Sequence, residues 1–175
     1  MKRIIVTGVS GSGKTYTAKA VSTLLGIPHF DLDNYYWEAG WQGKDRQEFN
    51  NIVDMLTKQE TWIISGNFSS TEMPIFKRCD YIIWLDYSIF RCLAQSFARS
   101  IRRIIKKEPC CNGNFETLAQ LFFSKNSIIA WVLRSYNKRR AFYNKVFSKS
   151  FDKKTFTKFY SPAQVNAWLK HISTC

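Results

Sequence analysis

The stretch Gly8-Val9-Ser10-Gly11-Ser12-Gly13-Lys14-Thr15 decides the expected fold, because it has the spacing G-x-x-x-x-G-K-[ST] of a phosphate-binding P-loop. Its three glycines leave space for backbone N–H groups around a phosphate and permit positive φ angles. The helix expected after the loop directs its dipole and its first N–H groups at the same anion. The pattern predicts that nucleotide is bound by Gly8, Ser10, Gly11, Ser12, Gly13, Lys14, Thr15 and the next residue, Tyr16.

The residues around the P-loop follow the order that the motif requires. Residues 4–7 are all β-branched, which is typical of a buried strand, and residues 16–25 have apolar side chains at helical spacing before Gly26. In this setting Lys14 can reach the β- and γ-phosphate oxygens of ATP and act as a catalytic cation. The Thr15 hydroxyl can bind Mg²⁺.

Composition limits the class of protein. A length of 175 residues and a hydrophobic content of 45% suit one domain with a full core, over residues 1–175. No apolar run reaches the ~20 residues that a membrane span needs. The chain enters a strand directly, which leaves no room for a signal peptide, so we expect a cytoplasmic protein. The net charge of +13 favours anionic partners, whether nucleotides, phosphorylated substrates or nucleic acid.

The five cysteines do not have the spacing of a metal site, since no C-x-x-C pair occurs. Cys110 and Cys111 are adjacent and could form a redox element. We favour the other interpretation, two reduced thiols in a loop, because disulfides are rare in reducing compartments. His29 and His171 lie far apart in the sequence and indicate no metal site.

Two aspartates end the second predicted strand, at residues 28–33. Asp31 and Asp33 share a side if the strand continues through both. Beside a P-loop they could hold Mg²⁺ through water, and one could accept a proton from an attacking hydroxyl group. A polar turn is the alternative. We predict that both residues contact substrate, with Asp31 as a metal ligand and Asp33 as a catalytic carboxylate.

Four aromatic residues lie within residues 34–41, which we interpret as a loop. Trp37 and Trp41 could stack on a planar substrate or form one wall of its pocket. Packing of the rings on the loop itself is an equal alternative. Residues 61–67 predict a third buried strand that ends in a small-residue turn containing Gly66 and Asn67.

Residues 80–86 predict a fourth strand, which is apolar throughout and ends in Asp86. This is the form of a Walker B element, in which the carboxylate holds Mg²⁺. The alternative is that Asp86 caps the helix that follows. Because the P-loop is present, we include Asp86 with Thr15 and Asp31 among the candidate metal ligands.

Residues 88–107 predict a long helix. Its apolar stripe consists of Phe90, Leu93, Phe97, Ile101 and Ile104. Another face carries four basic side chains without an acid among them, and such cations repel one another. Bound phosphates would explain this pattern better than a solvated face. We predict catalytic Arg99 and Arg103, substrate-binding Arg102 and a small lid at residues 99–115.

The rest of the chain predicts helices at residues 115–124 and 127–147, with a possible kink between them. A second basic cluster lies in the latter helix. We assign only Arg134 from it to the substrate, since a solvated face is the alternative. Residues 155–160 alternate as a fifth strand, and Ser161-Pro162 begins the terminal helix.

Strands and helices alternate throughout, which predicts an α/β protein with a parallel sheet and ligands at the carboxyl ends of its strands. Three features add to the P-loop: D-x-x-x-W-x-x-G-W from Asp33 to Trp41, Trp62-Ile63-Ile64 followed by Gly66-Asn67, and Arg102-Arg103. With these features the chain resembles the P-loop kinases called topology modulation proteins. That branch is similar to adenylate, shikimate and gluconate kinases.

The resemblance implies a three-layer α/β/α P-loop NTPase fold, like that of nucleoside monophosphate kinases, with five parallel strands in the order 2-3-1-4-5. It implies a substrate site near Asp33, Trp37, Trp41 and Asn67, and adenine near Ser161. Relatives commonly carry aspartate where this chain has Ser65, and there it helps to hold Mg²⁺. Without it, another aspartate takes that role, or metal binding and turnover are weaker.

The leading hypothesis is a kinase that uses ATP and Mg²⁺ to phosphorylate a small molecule or a nucleotide. A nucleic-acid-binding regulator that uses ATP as a switch is the second, suggested by the charge, although no nucleic-acid-binding motif is present. A protein that binds nucleotide without transferring phosphate is the third, suggested by Ser65. The oligomeric state is left open between a monomer and a homodimer.

Overall fold

The computed structural model describes residues 1–122, 127–149 and 155–174. Its strands are β1 (Arg3–Gly8), β2 (His29–Asp31), β3 (Trp62–Ser65), β4 (Tyr81–Leu85) and β5 (Thr155–Phe159). Its helices are α1 (Lys14–Leu25), α2 (Leu32–Tyr36), α3 (Arg46–Thr57), α4 (Ser69–Arg78), α5 (Ile89–Lys106), α6 (Leu118–Phe122), α7 (Ile128–Lys149) and α8 (Pro162–Ser173). Residues 39–41 form a 3₁₀ turn.

The five strands form one sheet in the order β2-β3-β1-β4-β5, and all neighbours are parallel. The predicted sheet and strand order are therefore confirmed. β1 lies in the centre, so the P-loop at its carboxyl end has β3 on one side and β4 on the other. This order places the ends of β2, β3 and β4 around the loop.

Alternation along the strands separates two hydrophobic cores, one on each face of the sheet. Ile4, Val6 and Ile83 pack with α1, α8 and the first half of α7. Ile5, Ile64 and Ile82 pack with α3, α4 and the second half of α7. Full burial of each such side chain contributes about 1.5–3 kcal/mol, so both faces of the sheet depend on their helices. This is the expected three-layer arrangement.

The second strand is shorter than predicted. β2 ends at Asp31, and the chain turns at once into α2, where Asp31 is the N-cap and accepts a hydrogen bond of 3.3 Å from the Asp33 N–H. An aspartate that can satisfy the first free N–H groups of a helix competes with strand extension. Asp31 and Asp33 therefore lie near each other across a helix N-terminus, and Tyr35 and Tyr36 belong to α2 instead of a loop.

The predicted apolar stripe of α5 is wrong at two positions, since Phe90 is 82% exposed and Phe97 is 41% exposed. The buried side consists of Cys92, Ser96 and Ser100. This side packs on the P-loop so closely that a Cβ on Gly11 would lie 2.3 Å from Ser96 Oγ. Only small side chains on α5 allow the helix to come this close to the P-loop. A search for large apolar residues at helical spacing does not detect such a face.

The C-terminal elements are of the predicted types, but their first and last residues differ from the prediction. The helix expected at residues 115–124 covers only Leu118–Phe122, and the next one extends to Lys149. The expected kink falls mostly on residues outside the described ones. α8 begins as predicted, with Pro162 in its first turn and the Ser161 hydroxyl accepting a hydrogen bond of 3.3 Å from the Gln164 N–H. In the described part of the chain, every helix is too short or too polar to cross a membrane.

Candidate active site

The P-loop has the backbone that its glycines predict. Gly11 and Gly13 have φ angles of 80° and 88°, in the left-handed region. A Cβ on Gly11 would lie 2.2 Å from the Cys92 carbonyl oxygen, so this glycine is required by space as well as by conformation. Gly13 is the N-cap of α1 and supplies no side-chain cap, which leaves the first N–H groups of the helix directed at the loop. The result is an anion-binding cradle.

Lys14 lies within this cradle, and its Nζ donates a hydrogen bond of 3.1 Å to the Val9 carbonyl oxygen. Burial lowers the pKa of Lys14, while Asp33 and Asp31 act in the opposite direction. Among the described residues, the buried Ser12 hydroxyl is a polar group without a hydrogen-bond partner. A buried cation and an unsatisfied hydroxyl in one loop are the groups that a bound phosphate would satisfy.

A cavity of about 270 Å³ opens beside the P-loop, toward the beginning of α8. It is lined by Ser12, Gly13, Tyr16, Thr17, Tyr87, Gln95, Pro162, Val165 and Asn166. Three residues assigned to nucleotide from sequence therefore contribute to it, and Ser161 is next to its Pro162. The sequence interpretation missed Gln95, whose buried Oε1 has no partner within the described structure. The sequence predicted a helix with an apolar stripe and a basic face here, and nothing in that pattern indicates that Gln95 faces a cavity.

Thr15 and Asp31 meet at the carboxyl end of β2. The Thr15 hydroxyl donates a hydrogen bond of 2.8 Å to Asp31 Oδ2. A hydroxyl and a carboxylate beside a phosphate cradle are hard oxygen ligands, so the residues present fit Mg²⁺. Two other positions were considered for metal binding. At position 65 the buried Ser65 has its hydroxyl 2.9 Å from His29 Nε2. The Asp86 carboxylate instead forms ion pairs with two cations.

Asp86 is a correction to the sequence interpretation. Its side chain is 3% exposed, and it forms ion pairs of 2.8 Å with both Arg140 and Lys158. Two cations therefore pair with the carboxylate that we assigned to metal, and Asp86 is not the N-cap of α5. Ser88 caps α5 instead, accepting a hydrogen bond from the Arg91 N–H. The end of β4 was predicted correctly. The two cations that pair with Asp86 were not, because they come from α7 and β5, which are distant from Asp86 in the sequence.

Asp33 lies beside Asp31 in the first turn of α2. Burial raises the pKa of Asp33, and the nearby negative charge of Asp31 raises it further. Lys14, Arg99 and Arg103 oppose this rise, so all three cations lie within electrostatic reach of the carboxylate. The structure thus brings together the four residues that the sequence predicted to be catalytic.

The two predicted catalytic arginines have different surroundings. Arg103 forms an ion pair of 2.7 Å with the buried Glu116. Arg99 has a buried Nε without a hydrogen-bond partner among the described residues. A buried, unsatisfied guanidinium donor is costly unless a ligand accepts from it, which makes Arg99 the stronger candidate for phosphate contact.

Two loops near Asp33 form a unit that we call the roof. It consists of the aromatic loop (residues 37–43) and the lid loop (residues 107–115), which are joined through Asn114. Asn114 Oδ1 accepts a hydrogen bond of 2.9 Å from the Trp41 N–H, and Asn114 Nδ2 donates one of 2.8 Å to the Glu38 carbonyl oxygen. The Trp41 indole N–H donates one of 3.1 Å to the Phe115 carbonyl oxygen. Sequence reasoning missed Asn114, because its partners lie more than 70 residues away.

The Trp37 ring packs edge-on between Tyr36 and Trp41, with ring centroids 4.9 Å and 5.6 Å away. Gly66 and Asn67 follow directly after β3. Gly66 has a φ of 127°, and a Cβ there would lie 2.8 Å from Leu32 Cβ. The Asn67 side-chain amide donates a hydrogen bond to the Gly8 carbonyl oxygen, which ties the end of β3 to the P-loop.

Two predicted substrate-binding arginines lie apart from this arrangement. Arg102 is exposed and forms an ion pair of 3.2 Å with Glu108, so the basic face of α5 does find acids, contrary to our expectation. Arg134 lies on an exposed position of α7, where its Nε donates to the Ala130 carbonyl oxygen at 3.2 Å. Neither is among the residues that line the cavity.

Comparison with known proteins supports the fold. The model of the ATPase family associated with various cellular activities (AAA) matches residues 4–86, from β1 to the residue after β4. A protein of Bacillus subtilis (strain 168), "Uncharacterized protein YqaC", is 36% identical over 67 residues. That alignment covers 37% of this chain and 38% of the relative, so less than half of either protein is matched.

Solved structures resemble the chain over nearly its whole length. Shikimate kinase from Bacteroides thetaiotaomicron has a TM-score of 0.59 at 18% identity, covering 99% of this chain and 96% of that one. Deoxyadenosine kinase from M. mycoides has a TM-score of 0.52 at 15% identity, covering 98% of this chain and 96% of that one. At these identities the likeness establishes the fold alone, and that fold is a kinase-like P-loop fold.

Proposed function

We propose that this protein is a kinase that transfers the γ-phosphoryl group of ATP to a hydroxyl group of a small molecule or nucleotide. The observation that carries the proposal is the contact between Thr15 and Asp31, 2.8 Å long, beside the partly buried Asp33. It joins a phosphate cradle to a carboxylate pair at one point. A protein that only bound nucleotide would have no need of a second, desolvated carboxylate there.

The chain's own residues supply the parts that phosphoryl transfer requires. Lys14 and Arg99 stabilise negative charge on the transferred group, and the N–H groups of the P-loop hold the phosphates. Asp33 orients the acceptor hydroxyl and accepts its proton, a role that its raised pKa favours. Arg103, held by Glu116, adds positive charge near the same carboxylate.

Thr15 and Asp31 are the residues that would hold Mg²⁺, directly or through water. When bound, the ion neutralises charge on the phosphates. Ser65 brings no carboxylate to this point, since its hydroxyl pairs with His29. We propose that Asp31 fulfils the role that aspartate has there in the topology modulation proteins, the family that the chain resembles in sequence.

The nucleoside of ATP fits the cavity between the P-loop and α8. Tyr16 and Pro162 offer flat apolar surfaces for the base, and the amides of Gln95 and Asn166 offer hydrogen bonds. The acceptor fits between Asp33 and the roof formed by the aromatic and lid loops. We propose that a kinase with these substrates acts in the cytoplasm, as the sequence predicts.

The test is phosphorus NMR of Mg·ATP incubated with the protein and a panel of nucleoside monophosphates, nucleosides and hydroxylated metabolites. We expect a new phosphoester signal with one acceptor, and none with Lys14→Ala. Inorganic phosphate alone would indicate hydrolysis without the true acceptor. Unchanged ATP with every acceptor, despite nucleotide binding, would reject transfer in favour of a nucleotide-binding protein.

A second candidate function rests on the distribution of charge. Residues 87–175 carry 17 Lys and Arg against three Asp and Glu, whereas residues 1–86 carry nine against ten. The net positive charge is therefore confined to the C-terminal half, and neither α5 nor α7 contains an acid. Nucleic acid is the partner that such a surface suits best.

This candidate makes a prediction that the kinase does not. If about five phosphates are contacted, affinity for single- or double-stranded DNA falls about 500-fold between 50 and 200 mM salt. Fluorescence anisotropy of labelled DNA measures it. Absence of binding at 50 mM salt, or a flat response to salt, would reject a role in nucleic-acid binding.

A further inference from the structure

The lid loop contains two adjacent thiols whose role neither ATP nor the acceptor explains. Cys110 is buried and Cys111 is partly exposed, and both are free. The two thiols are close enough that each changes the acidity of the other. Cys110 Sγ also lies 3.9 Å from Glu116 Oε1, the atom that pairs with Arg103. The dithiol therefore adjoins an ion pair of the active site.

The two thiols differ in acidity. Interaction with the Cys111 side chain lowers the pKa of Cys110, and the positive charge of Arg103 acts in the same direction, whereas burial and the Glu116 carboxylate oppose this shift. Interaction with Cys110 and burial raise the pKa of Cys111. Cys92, buried without a thiol neighbour, has a pKa raised to about 11. Only a thiolate is an effective nucleophile, so of these three thiols Cys110 is the one whose pKa shift favours the reactive form, and Cys111 is the adjacent thiol that can resolve the product.

The backbone of this pair is part of the turn that holds the roof. The Cys110 N–H donates a hydrogen bond of 2.7 Å to the Asn114 carbonyl oxygen. Asn114 Nδ2 donates a second one, also 2.7 Å, to the Cys111 carbonyl oxygen. Cys111 and Asn112 have positive φ angles of 42° and 63°. The reduced pair thus has a defined backbone, and that backbone orients the Asn114 side chain toward Trp41 and Glu38.

A disulfide between these neighbours would be strained. Consecutive Cα atoms are about 3.8 Å apart, whereas ordinary disulfides join Cα atoms about 4.4–6.8 Å apart. Closing the short ring requires rotation about the bonds of both residues, and we expect this rotation to break the two hydrogen bonds to Asn114. Strain also makes such a disulfide easy to reduce, and labile disulfides are the ones that serve regulation.

We propose that Cys110 and Cys111 are a reversible oxidation site for hydrogen peroxide, and that forming their disulfide detaches the lid loop from the aromatic loop. The Cys110 thiolate attacks one peroxide oxygen, the O–O bond breaks, and a sulfenic acid and hydroxide form. The Cys111 sulfur then attacks the sulfenic sulfur. The S–S bond forms, the S–O bond breaks, and the oxygen leaves as water with the Cys111 proton. Two thiols and one peroxide give one disulfide and two waters.

The consequence is local to the roof. Asn114 loses its orientation, so the Trp41 N–H and the Glu38 carbonyl lose their partner. The P-loop and the α8 cavity share none of these contacts. Oxidation therefore opens the acceptor side and leaves nucleotide binding intact.

The test treats full-length Cys175→Ser protein with hydrogen peroxide and follows it by intact mass, peptide mapping and ¹H–¹⁵N NMR. We expect a mass loss of about 2 Da, a cross-link between residues 110 and 111, and full reversal by dithiothreitol. The Trp41 indole signal should shift, and the Trp41 backbone amide should exchange at least about tenfold faster. The Trp62 indole, which donates to the Thr57 carbonyl oxygen far from the lid, is the internal control.

Cys111→Ser provides the matched variant, which should stop at the sulfenic acid or beyond and keep the Trp41 signal of the reduced protein. Irreversible addition of oxygen to wild type, or a Cys110–Cys111 disulfide that leaves Trp41 exchange unchanged, would overturn the proposal. None of these readouts requires an acceptor, so failure here is distinct from failure of the kinase assignment.

Discussion

The phosphate side and the acceptor side of the site are built in different ways. The P-loop is continuous in sequence, and its shape follows from glycines and from a helix that begins within it. The roof near Asp33 consists of two loops that are about 70 residues apart and joined by side chains of Asn114 and Trp41. One half is fixed by backbone geometry and the other by a few reversible contacts. A rigid P-loop suits the binding of ATP. A roof held by a few side-chain contacts suits the entry of the acceptor and the release of the phosphorylated product.

Asp33→Asn tests the chemical role on the acceptor side and has the largest expected effect. Loss of the proton acceptor should lower kcat by about 100- to 10,000-fold, with Mg·ATP affinity unchanged. In wild type, kcat should rise with pH as Asp33 loses its proton, and this limb should disappear in the variant. Steady-state kinetics with the acceptor identified by NMR measures both. A variant with normal kcat would remove Asp33 from the mechanism.

The same substitution should stabilise the protein. Burial raises the pKa of Asp33 in the folded state, so the folded protein binds this proton more tightly than the unfolded chain does. Its contribution to stability is complete below the unfolded pKa and is lost as pH rises through the folded pKa. At pH 7 Asp33→Asn should therefore raise Tm, by about 2–4 °C for each kcal/mol, and the gain should vanish in acid. A lower Tm at pH 7 would contradict this account.

Gly11→Ala tests the phosphate side. A Cβ would lie 2.2 Å from the Cys92 carbonyl oxygen at a φ of 80°, so overpacking and backbone strain should cost about 2–4 kcal/mol and abolish nucleotide binding. Gly13→Ala is the matched control, since it shares a positive φ of 88° but has no atom within 4 Å of the new Cβ. It should cost only about 1 kcal/mol. Equal losses of unfolding free energy would show that space at Gly11 is unimportant.

Asn114→Ala tests the roof. It removes three side-chain hydrogen bonds, to Trp41, Glu38 and Cys111, and should speed amide exchange of residues 37–43 about tenfold or more. We expect the KM for the acceptor to rise and the affinity for Mg·ATP to stay the same. Asn112→Gly, in the same turn at a φ of 63°, is the control and should change neither. A loss of nucleotide affinity in Asn114→Ala would show that the two sides are not separable.

Ser65→Asp has the smallest expected effect and tests how the metal is held. Ser65 is buried and is the register partner of Asp31, so a carboxylate there should lower stability without metal by at least about 1 kcal/mol through like-charge repulsion and desolvation. Added Mg²⁺ should reverse the loss and raise Tm above that of wild type. Ser65→Ala, which also loses the His29 contact, separates the charge from the hydrogen bond. Equal Mg²⁺ responses in all three proteins would place the metal elsewhere.

The parts that sequence predicted well are those encoded by neighbouring residues. The P-loop, the buried strands and the start of α8 follow from local pattern, and the strand order implied by the resemblance is confirmed. Asp31 and Asp33 were singled out although their strand ends early. Local pattern could not show that Asp31 caps a helix and also receives the Thr15 hydroxyl.

What sequence missed depends on contacts between distant segments. Asp86 was assigned to metal because nothing near it reveals Arg140 and Lys158. The predicted apolar stripe of α5 was wrong at Phe90 and Phe97, because an analysis of helical periodicity assigns large apolar residues to the buried face. The P-loop instead requires small ones at Cys92 and Ser96. Asn114 joins the two loops of the roof, but it lies in a polar turn whose sequence has no feature that distinguishes it from other turns.

Calorimetric titration of ATP into the protein, with and without Mg²⁺, tests the central claim that the P-loop binds Mg·ATP through Lys14, Thr15 and Asp31. We expect saturable binding at one site, weakened at least about tenfold by omission of Mg²⁺ or by Lys14→Ala. Lys19→Ala, on the exposed side of α1, should bind as wild type does. Binding that is equal with and without Mg²⁺ and in Lys14→Ala would contradict the account.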